Sequence, residues 1–437
     1  MKKVAFYTLG CKVNQYETQA MTEMFQQAGY EVVDFEGFAD VYVINTCTVT
    51  SFGDKKSRQI IRRANRINPE AVIAVAGCYS QTSPEETSKI KGVSVVVGTK
   101  NRNKIVEFVE EAFNGKKHFI VSDIMKQREY EENGFISFSE TTRAFVKIQE
   151  GCQEFCSYCI IPFARGAVRS RLPENVIKEI NKLADNGFKE VVLTGININS
   201  YGKDIEGVTL LGLLEKITER EGIKRIRLGS LNPDLITESF VTAIMRNEKI
   251  CPHFHISLQS GSDSTLKRMN RKYSTSDYQN RIELLRKNIP DVSITTDIMV
   301  GFPGETEKEF EATYDFLNNI SLTKLHVFKY SPRKGTPAAS FGEQITPQEK
   351  EKRSDLLLEL SNKKEKEFYE KYLSKEVEVF FEQETEGENR FSEGHTGNFI
   401  KVVVPNEMDL TSGFARVKVE KVENGFVRGV VLKKLLK

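Results

Sequence analysis

Gly151-Cys152-Gln153-Glu154-Phe155-Cys156-Ser157-Tyr158-Cys159 decides how this chain is read. Cysteines with three and then two residues between them suit three corners of a [4Fe–4S] cube and leave its fourth iron without a protein ligand. A structural zinc site is the alternative. It normally takes four protein ligands, and no further Cys or His lies nearby. The apolar run Ala144–Gln149 precedes the motif and reads as a β-strand. The loops that follow strands are where β/α-barrel active sites lie.

The pattern continues outward from there. Val191–Thr194, Arg225–Leu228, His253–Leu258, Val292–Asp297 and Lys324–Phe328 read as strands, with helical stretches such as Pro173–Asn186 and Thr306–Leu317 between them. Six β/α units predict an open, partial barrel.

An iron without a protein ligand can chelate the amino and carboxylate groups of S-adenosylmethionine. Reduction of the bound sulfonium then breaks a carbon–sulfur bond and yields a 5′-deoxyadenosyl radical. The cysteine spacing, the aromatic Tyr158 before the last cysteine and the strand context resemble the radical S-adenosylmethionine superfamily. Three further strand ends become candidates for cofactor contact: Gly195 and Asn197 for the methionine amino group, Ser257 and Gln259 for a ribose, and Asp297 with Gly301 for the adenine. Glycine after a strand lets backbone approach a ligand closely, although such glycines also serve plain turns.

Residues 1–125 alternate strand and helix as well. Val4–Leu9, Val41–Thr46, Ala71–Ala76 and Val93–Val97 are short apolar runs separated by amphipathic stretches, which predicts a parallel sheet covered by helices. Cys11, Cys47 and Cys78 each end one of these runs. Strand carboxyl ends share one edge of such a sheet, where ligands bind, so the three should converge as a second cluster site. The bland alternative is three small buried hydrophobes. Asp123–Glu140 is polar and reads as a linker.

Beyond Thr346–Tyr372, a long charged helix that reads, like Arg286 and Lys287, as a solvated face, the chain turns to strands alone: Val377–Glu382, Phe399–Val404, Ala415–Val422 and Phe426–Leu432, punctuated by glycines. That predicts a small β-barrel. The 437 residues carry a net charge of +2 and seven cysteines. Nucleic-acid binding would therefore rest on local basic patches. An odd cysteine count in a chain of this length favours metal ligation over a disulfide framework. No apolar run spans a bilayer. Met1-Lys2-Lys3 and the run after it lack a cleavage site, so a cytoplasmic location is expected.

Gly10-Cys11-Lys12-Val13-Asn14-Gln15-Tyr16-Glu17, Asn45-Thr46-Cys47-Thr48-Val49-Thr50, Ala76-Gly77-Cys78, and Cys156 through Gly166 on to Arg169-Ser170-Arg171 resemble the methylthiotransferases over nearly the whole chain. The resemblance implies a cluster domain at 1–125, a radical barrel at 139–372 and an RNA-binding TRAM barrel at 373–437. It also implies two [4Fe–4S] clusters, on Cys11/Cys47/Cys78 and Cys152/Cys156/Cys159. One S-adenosylmethionine would methylate a sulfur at the first site, and a second would supply the radical. The Lys-Val-Asn-Gln-Tyr-Glu run looks like the branch acting at carbon 2 of N6-threonylcarbamoyladenosine beside the anticodon of tRNA. Isopentenyladenosine in tRNA and a ribosomal-protein aspartate are the substrates of the other branches. An electron donor would be a further partner. Arg62, Arg66, Arg165 and Arg169 are the RNA-contact candidates, while Lys55 and Lys56 fit an RNA contact or a solvated face almost equally. His253 and His255 share one side of a strand, which places them either along the site or hydrogen-bonded in the core, the core being the preferred reading. Cys251 reads as a spare thiol. Non-enzymatic alternatives are an iron–sulfur electron carrier, which needs no open iron, and an RNA-binding scaffold, which needs no cysteines.

Overall fold

The computed structural model describes residues 1–134, 142–384, 390–406 and 410–435. The N-terminal sheet is built from β1 (Lys3–Thr8), β2 (Glu31–Val33), β3 (Val41–Thr46), β4 (Val72–Gly77), β5 (Val93–Val97) and β6 (His118–Ile120). All pair in parallel, in the order β2-β1-β3-β4-β5-β6. Every residue of β3 and β4 is buried. A parallel strand covered on both faces reads as an unbroken apolar run, which is why these strands stand out in the sequence. Helices α1 (Lys12–Gln27), α2 (Ser51–Ile67) and α3 (Cys78–Thr82) follow β1, β3 and β4.

The second unit is an open barrel of β7 (Arg143–Glu150), β8 (Arg169–Ser170), β9 (Glu190–Gly195), β10 (Arg225–Leu228), β11 (His253–His255), β12 (Ser293–Val300) and β13 (Lys324–Lys329). The order β10-β9-β7-β8 meets β11-β12-β13 through the parallel bridges Ile226↔Ile250 and Leu231↔Ile256. Strand alternation sends Val146, Leu193, Ile226 and Ile294 outward into the largest core, against the helices. Arg143, Phe145, Arg227, His255 and Thr295 are left facing the lumen.

The third unit is a closed barrel of β14 (Glu376–Glu384), β15 (Phe391–Thr396), β16 (Lys401–Pro405), β17 (Phe414–Glu423) and β18 (Phe426–Lys434). Four strands were expected. β15 escaped because its sequence, Phe-Ser-Glu-Gly-His-Thr, carries one large apolar residue and places Gly394 where a Cβ would lie 2.3 Å from the Phe380 carbonyl oxygen.

Residues 123–134 run between the first two units and are fastened to the protein on the way: Ile124 is buried, the Tyr130 hydroxyl donates to the Lys147 carbonyl at 3.0 Å, and Glu132 pairs with Arg171. The remainder of that segment, including the boundary at 139, lies outside the described residues. The helix Pro347–Glu370 is charged yet half-buried. Ser361 bonds both backbone groups of Leu325, and Arg353 reaches Glu305 at 2.7 Å. Arg286, also read as solvated, donates to the carbonyls of Val292 and Ser321. Among the described residues no helix is long and apolar enough to cross a membrane.

Candidate active site

Three adjacent strands, β1, β3 and β4, deliver Cys11, Cys47 and Cys78 to one sheet edge. Gly10 has φ +103° and packs so tightly that a Cβ would lie 3.0 Å from the Cys47 sulfur. Gly77 has φ +101°, with a Cβ position 2.5 Å from Asn45 Oδ1. Both turns need glycine, for conformation and for space. Asn14 ties the strand ends together: its Nδ2 donates to the carbonyls of Leu9 and Thr46 at 2.6 and 3.0 Å, and its Oδ1 lies 3.9 Å from the Cys11 sulfur. Arg165 closes the arrangement from the barrel side, with Nη2 donating to Asn14 Oδ1 at 2.6 Å and Nε to the Cys78 sulfur at 3.1 Å.

Cys152, Cys156 and Cys159 follow β7 in a loop that turns through Phe155 at φ +45°. Arg271 Nη1 donates to the Cys156 sulfur at 3.3 Å, and Asn197 Nδ2 lies 3.9 Å from that of Cys152. The backbone amides of Glu154, Ile161 and Val49 serve Cys152, Cys159 and Cys47. Burial pushes the Cys78 and Cys159 thiols up to about 12, so they ionise only when a cation takes the place of the proton. Cationic and amide donors aimed at sulfur suit thiolates ligating iron, and both sets therefore fit a cluster. Among the described residues no three Cys, His, Asp or Glu side chains gather as a single ion requires. A cube takes one sulfur per corner, a wider spacing than the ligands of a single ion have.

The two sets are joined by one short helix. Ile161–Arg165 begins two residues after Cys159 and ends on Cys78. Five residues of helix are about 7.5 Å long. Arg165 also enters a fully buried ionic cluster, donating to Glu17 and Glu150 at 2.5 Å each. Arg102 and Lys147 pair with Glu17 at 2.7 and 2.9 Å. Burial works against the Glu17 carboxylate, yet Arg102, Arg165 and Lys147 together hold it down at about 2.

A chamber of about 600 Å³ occupies the barrel lumen. The third unit covers one side of it. Phe399 stacks between His253 and His395 at 4.8 and 4.5 Å, with the Arg227 guanidinium over its ring. Lys12 lines the chamber one residue after Cys11, and Asp297 lines it from β12. Lys12 opens onto this space, and the surrounding protein lowers its pKa, with Arg143 and Arg227 adding to the effect.

The Radical SAM superfamily matches residues 146–317, and a family described as uncharacterized protein family UPF0004 matches residues 3–98. The threonylcarbamoyladenosine tRNA methylthiotransferase MtaB of Bacillus subtilis (strain 168) is 48% identical over 98% of this chain and 97% of that protein. The chain belongs to the radical S-adenosylmethionine methylthiotransferase family. The tRNA-2-methylthio-N(6)-dimethylallyladenosine synthase of Moorella thermoacetica is 36% identical over 98% of each. The fold also resembles the radical S-adenosylmethionine methyltransferase TsrM from Kitasatospora setae, with TM-score 0.58 over 77% of each chain at 17% identity.

In this methylthiotransferase the expected cofactor face is ordered by contacts the sequence does not display. Gln149 Oε1 accepts the Asn197 amide at 2.8 Å and fills the place a Cβ on Gly195 would need. Gln259 stands at φ +76°, its amide bonded to the Asp297 carbonyl. Ser257 Oγ lies 3.5 Å from the Asp297 carboxylate, whose other neighbour is His255 Nε2 at 3.1 Å. Tyr158 packs on Phe302. Gly301 abuts Lys350, and its amide is taken by Glu305 at 2.7 Å.

Three expectations are corrected. Arg165 and Arg169 are 0% and 2% exposed, and Arg169 donates to the carbonyls of Ala167 and Arg165. Neither presents its guanidinium to RNA: Arg165 fastens the barrel to the first unit through Glu17, Asn14 and Cys78, and Arg169 braces the loop that carries Arg165. Of the two places open to His253 and His255, the structure shows the lumen and not the preferred core. Arg62 and Arg66 are exposed on α2, along a groove that includes Lys89 and Lys91. Sequence reasoning missed Arg271, which carries no local signal. It also passed over Lys12, Asn14 and Glu17, which stood inside a quoted run, because their roles depend on partners in the barrel.

Proposed function

We propose that this enzyme places a methylthio group on carbon 2 of N6-threonylcarbamoyladenosine next to the anticodon of tRNA. The observation that carries the reading is a pair of three-cysteine sets, joined through the helix Ile161–Arg165, beside one chamber. Relatives named for this nucleoside support the branch, from Bacillus subtilis at 48% identity and Aquifex aeolicus at 43%. When bound, a [4Fe–4S] cluster with an open iron supplies the electron that cleaves S-adenosylmethionine and so gives a radical able to attack an unactivated carbon–hydrogen bond.

The chain's part is to hold and orient. Cys152, Cys156 and Cys159 hold one cluster, with Arg271 on a ligand sulfur. Cys11, Cys47 and Cys78 hold the other, with Arg165 in the equivalent place. Asn197 and Gly195, positioned by Gln149, together with Ser257, Gln259, Asp297, Gly301 and Tyr158, form the S-adenosylmethionine face. The ionic cluster around Glu17 fixes the two sets relative to each other, and a reaction between bound partners depends on that alignment. Arg62 and Arg66 reach the phosphates of the anticodon stem-loop. An electron donor completes the system.

Nucleoside mass spectrometry of tRNA from a host lacking this activity, with and without the chain, tests the reading. 2-Methylthio-threonylcarbamoyladenosine is the expected product. The isopentenyl analogue in its place would move the enzyme to the other tRNA branch, and neither product with loaded clusters would point to the ribosomal-protein substrate.

A further inference from the structure

The chamber is rich in cations, and nearly all of them are already engaged. Arg227 pairs with Glu190 at 2.7 Å and Arg143 with Glu382 at 2.7 Å. Lys324 pairs with Glu365 at 2.7 Å, and Lys401 with Glu393 at 2.9 Å. Lys12 differs. Its ammonium lies 6.0 Å from the centre of the Phe145 ring and, among the described residues, meets no carboxylate. Glu190, already paired with Arg227, acts on Lys12 only from a distance, and a lysine on the chamber wall with no carboxylate of its own is a site for an anion.

Its position says which anion. Lys12 directly follows Cys11, so it stands beside the set proposed to deliver sulfur to carbon 2 of the base. On an adenine, carbon 2 and the substituent on N6 flank N1 on the same edge. An N6-threonylcarbamoyl group ends in a free carboxylate; an isopentenyl group carries no charge. A lysine side chain next to the sulfur site has the reach to cross that edge, and Phe145 lines the same chamber as an apolar wall.

We infer that Lys12 is a specificity-determining residue that receives the carboxylate of the N6 substituent and so separates an acidic from a neutral hypermodified adenosine. This rests on reading the chamber as the site of threonylcarbamoyladenosine. A charge-assisted hydrogen bond of this kind is expected to favour the acid by about 10- to 100-fold.

The test uses full-length reconstituted enzyme and anticodon stem-loops bearing either threonylcarbamoyladenosine or its methyl ester, which removes only the charge. Equilibrium binding by fluorescence anisotropy and kcat/KM for methylthiolation are both read as acid-to-ester ratios. The wild type should prefer the acid by about 10- to 100-fold. Lys12→Gln and Lys12→Met should bring the ratio near one, and Lys12→Arg should retain most of it. Iron content and the visible spectrum report whether Cys11 still ligates. A ratio in Lys12→Gln equal to that of the wild type overturns the inference, as does a wild type that treats acid and ester alike. Both outcomes leave the proposed reaction standing. Failure of the proposed reaction is distinct: the wild type would make no methylthio product from the acid at all.

Discussion

Replacing Glu17 by Gln should destabilise the joint between the first unit and the barrel by about 3 kcal/mol at neutral pH. The carboxylate is fully buried among Arg102, Lys147 and Arg165, and the amide keeps its shape while removing its charge. A carboxyl held at about 2 against an ordinary 4.5 contributes about 3 kcal/mol of stability above both values. Breaking a buried ion pair from one side costs about 3–5 kcal/mol by an independent measure. The sign follows from the direction of the shift. The folded pKa lies below the unfolded one, so the contribution is complete above about 4.5 and is lost as the pH falls toward 2. By pH 3 about half of it is gone. The assay is urea unfolding of both proteins at pH 7 and pH 3. Circular dichroism is the signal, because the chain has no tryptophan, and midpoints are compared at constant m-value. A gap below about 1 kcal/mol at pH 7, or one that fails to narrow at pH 3, would refute the account of Glu17 as the charged hub of this joint.

Arg165→Met should lower iron incorporation at Cys11, Cys47 and Cys78 and leave the salt dependence of tRNA binding unchanged; a reduced salt slope would restore Arg165 as an RNA contact. Arg62→Glu and Arg66→Glu should each weaken tRNA binding and flatten the slope of log K against log salt by about one, with both clusters still loaded. Unchanged binding would remove α2 from the interface. Cys159→Ala should abolish methylthiolation and lose the iron of one cluster only, as counted by metal analysis and electron paramagnetic resonance. Loss of both clusters would show that the two sites do not assemble independently.

What could be read from the sequence divides along physical lines. Strands β3 and β4 are buried on both faces, so their apolar runs announce themselves, and a cysteine at the end of each is visible in one dimension. The motif Cys152–Cys159 is legible for the same reason: its ligands are neighbours in the chain. β15 was not legible, because it is held by backbone pairing on both sides and its side chains carry little apolar pattern. Arg165 and Arg169 misled because a cation in a one-dimensional reading defaults to solvent or phosphate, whereas Arg165 finds Glu17 across a domain boundary and Glu150 within its own, and Arg169 finds backbone carbonyls beside it.

The same boundary explains why Lys12, Asn14 and Glu17 were quoted as a signature without being given work. Along α1 they are spaced by two and three residues, and each meets something different: the lumen at Lys12, the strand ends and Arg165 at Asn14, and the barrel's cations at Glu17. One turn and a half of helix thus links the Cys11 site, the chamber and the joint. A substitution that displaces α1 should therefore impair cluster loading, substrate choice and stability together, whereas changes confined to one of these side chains should separate them.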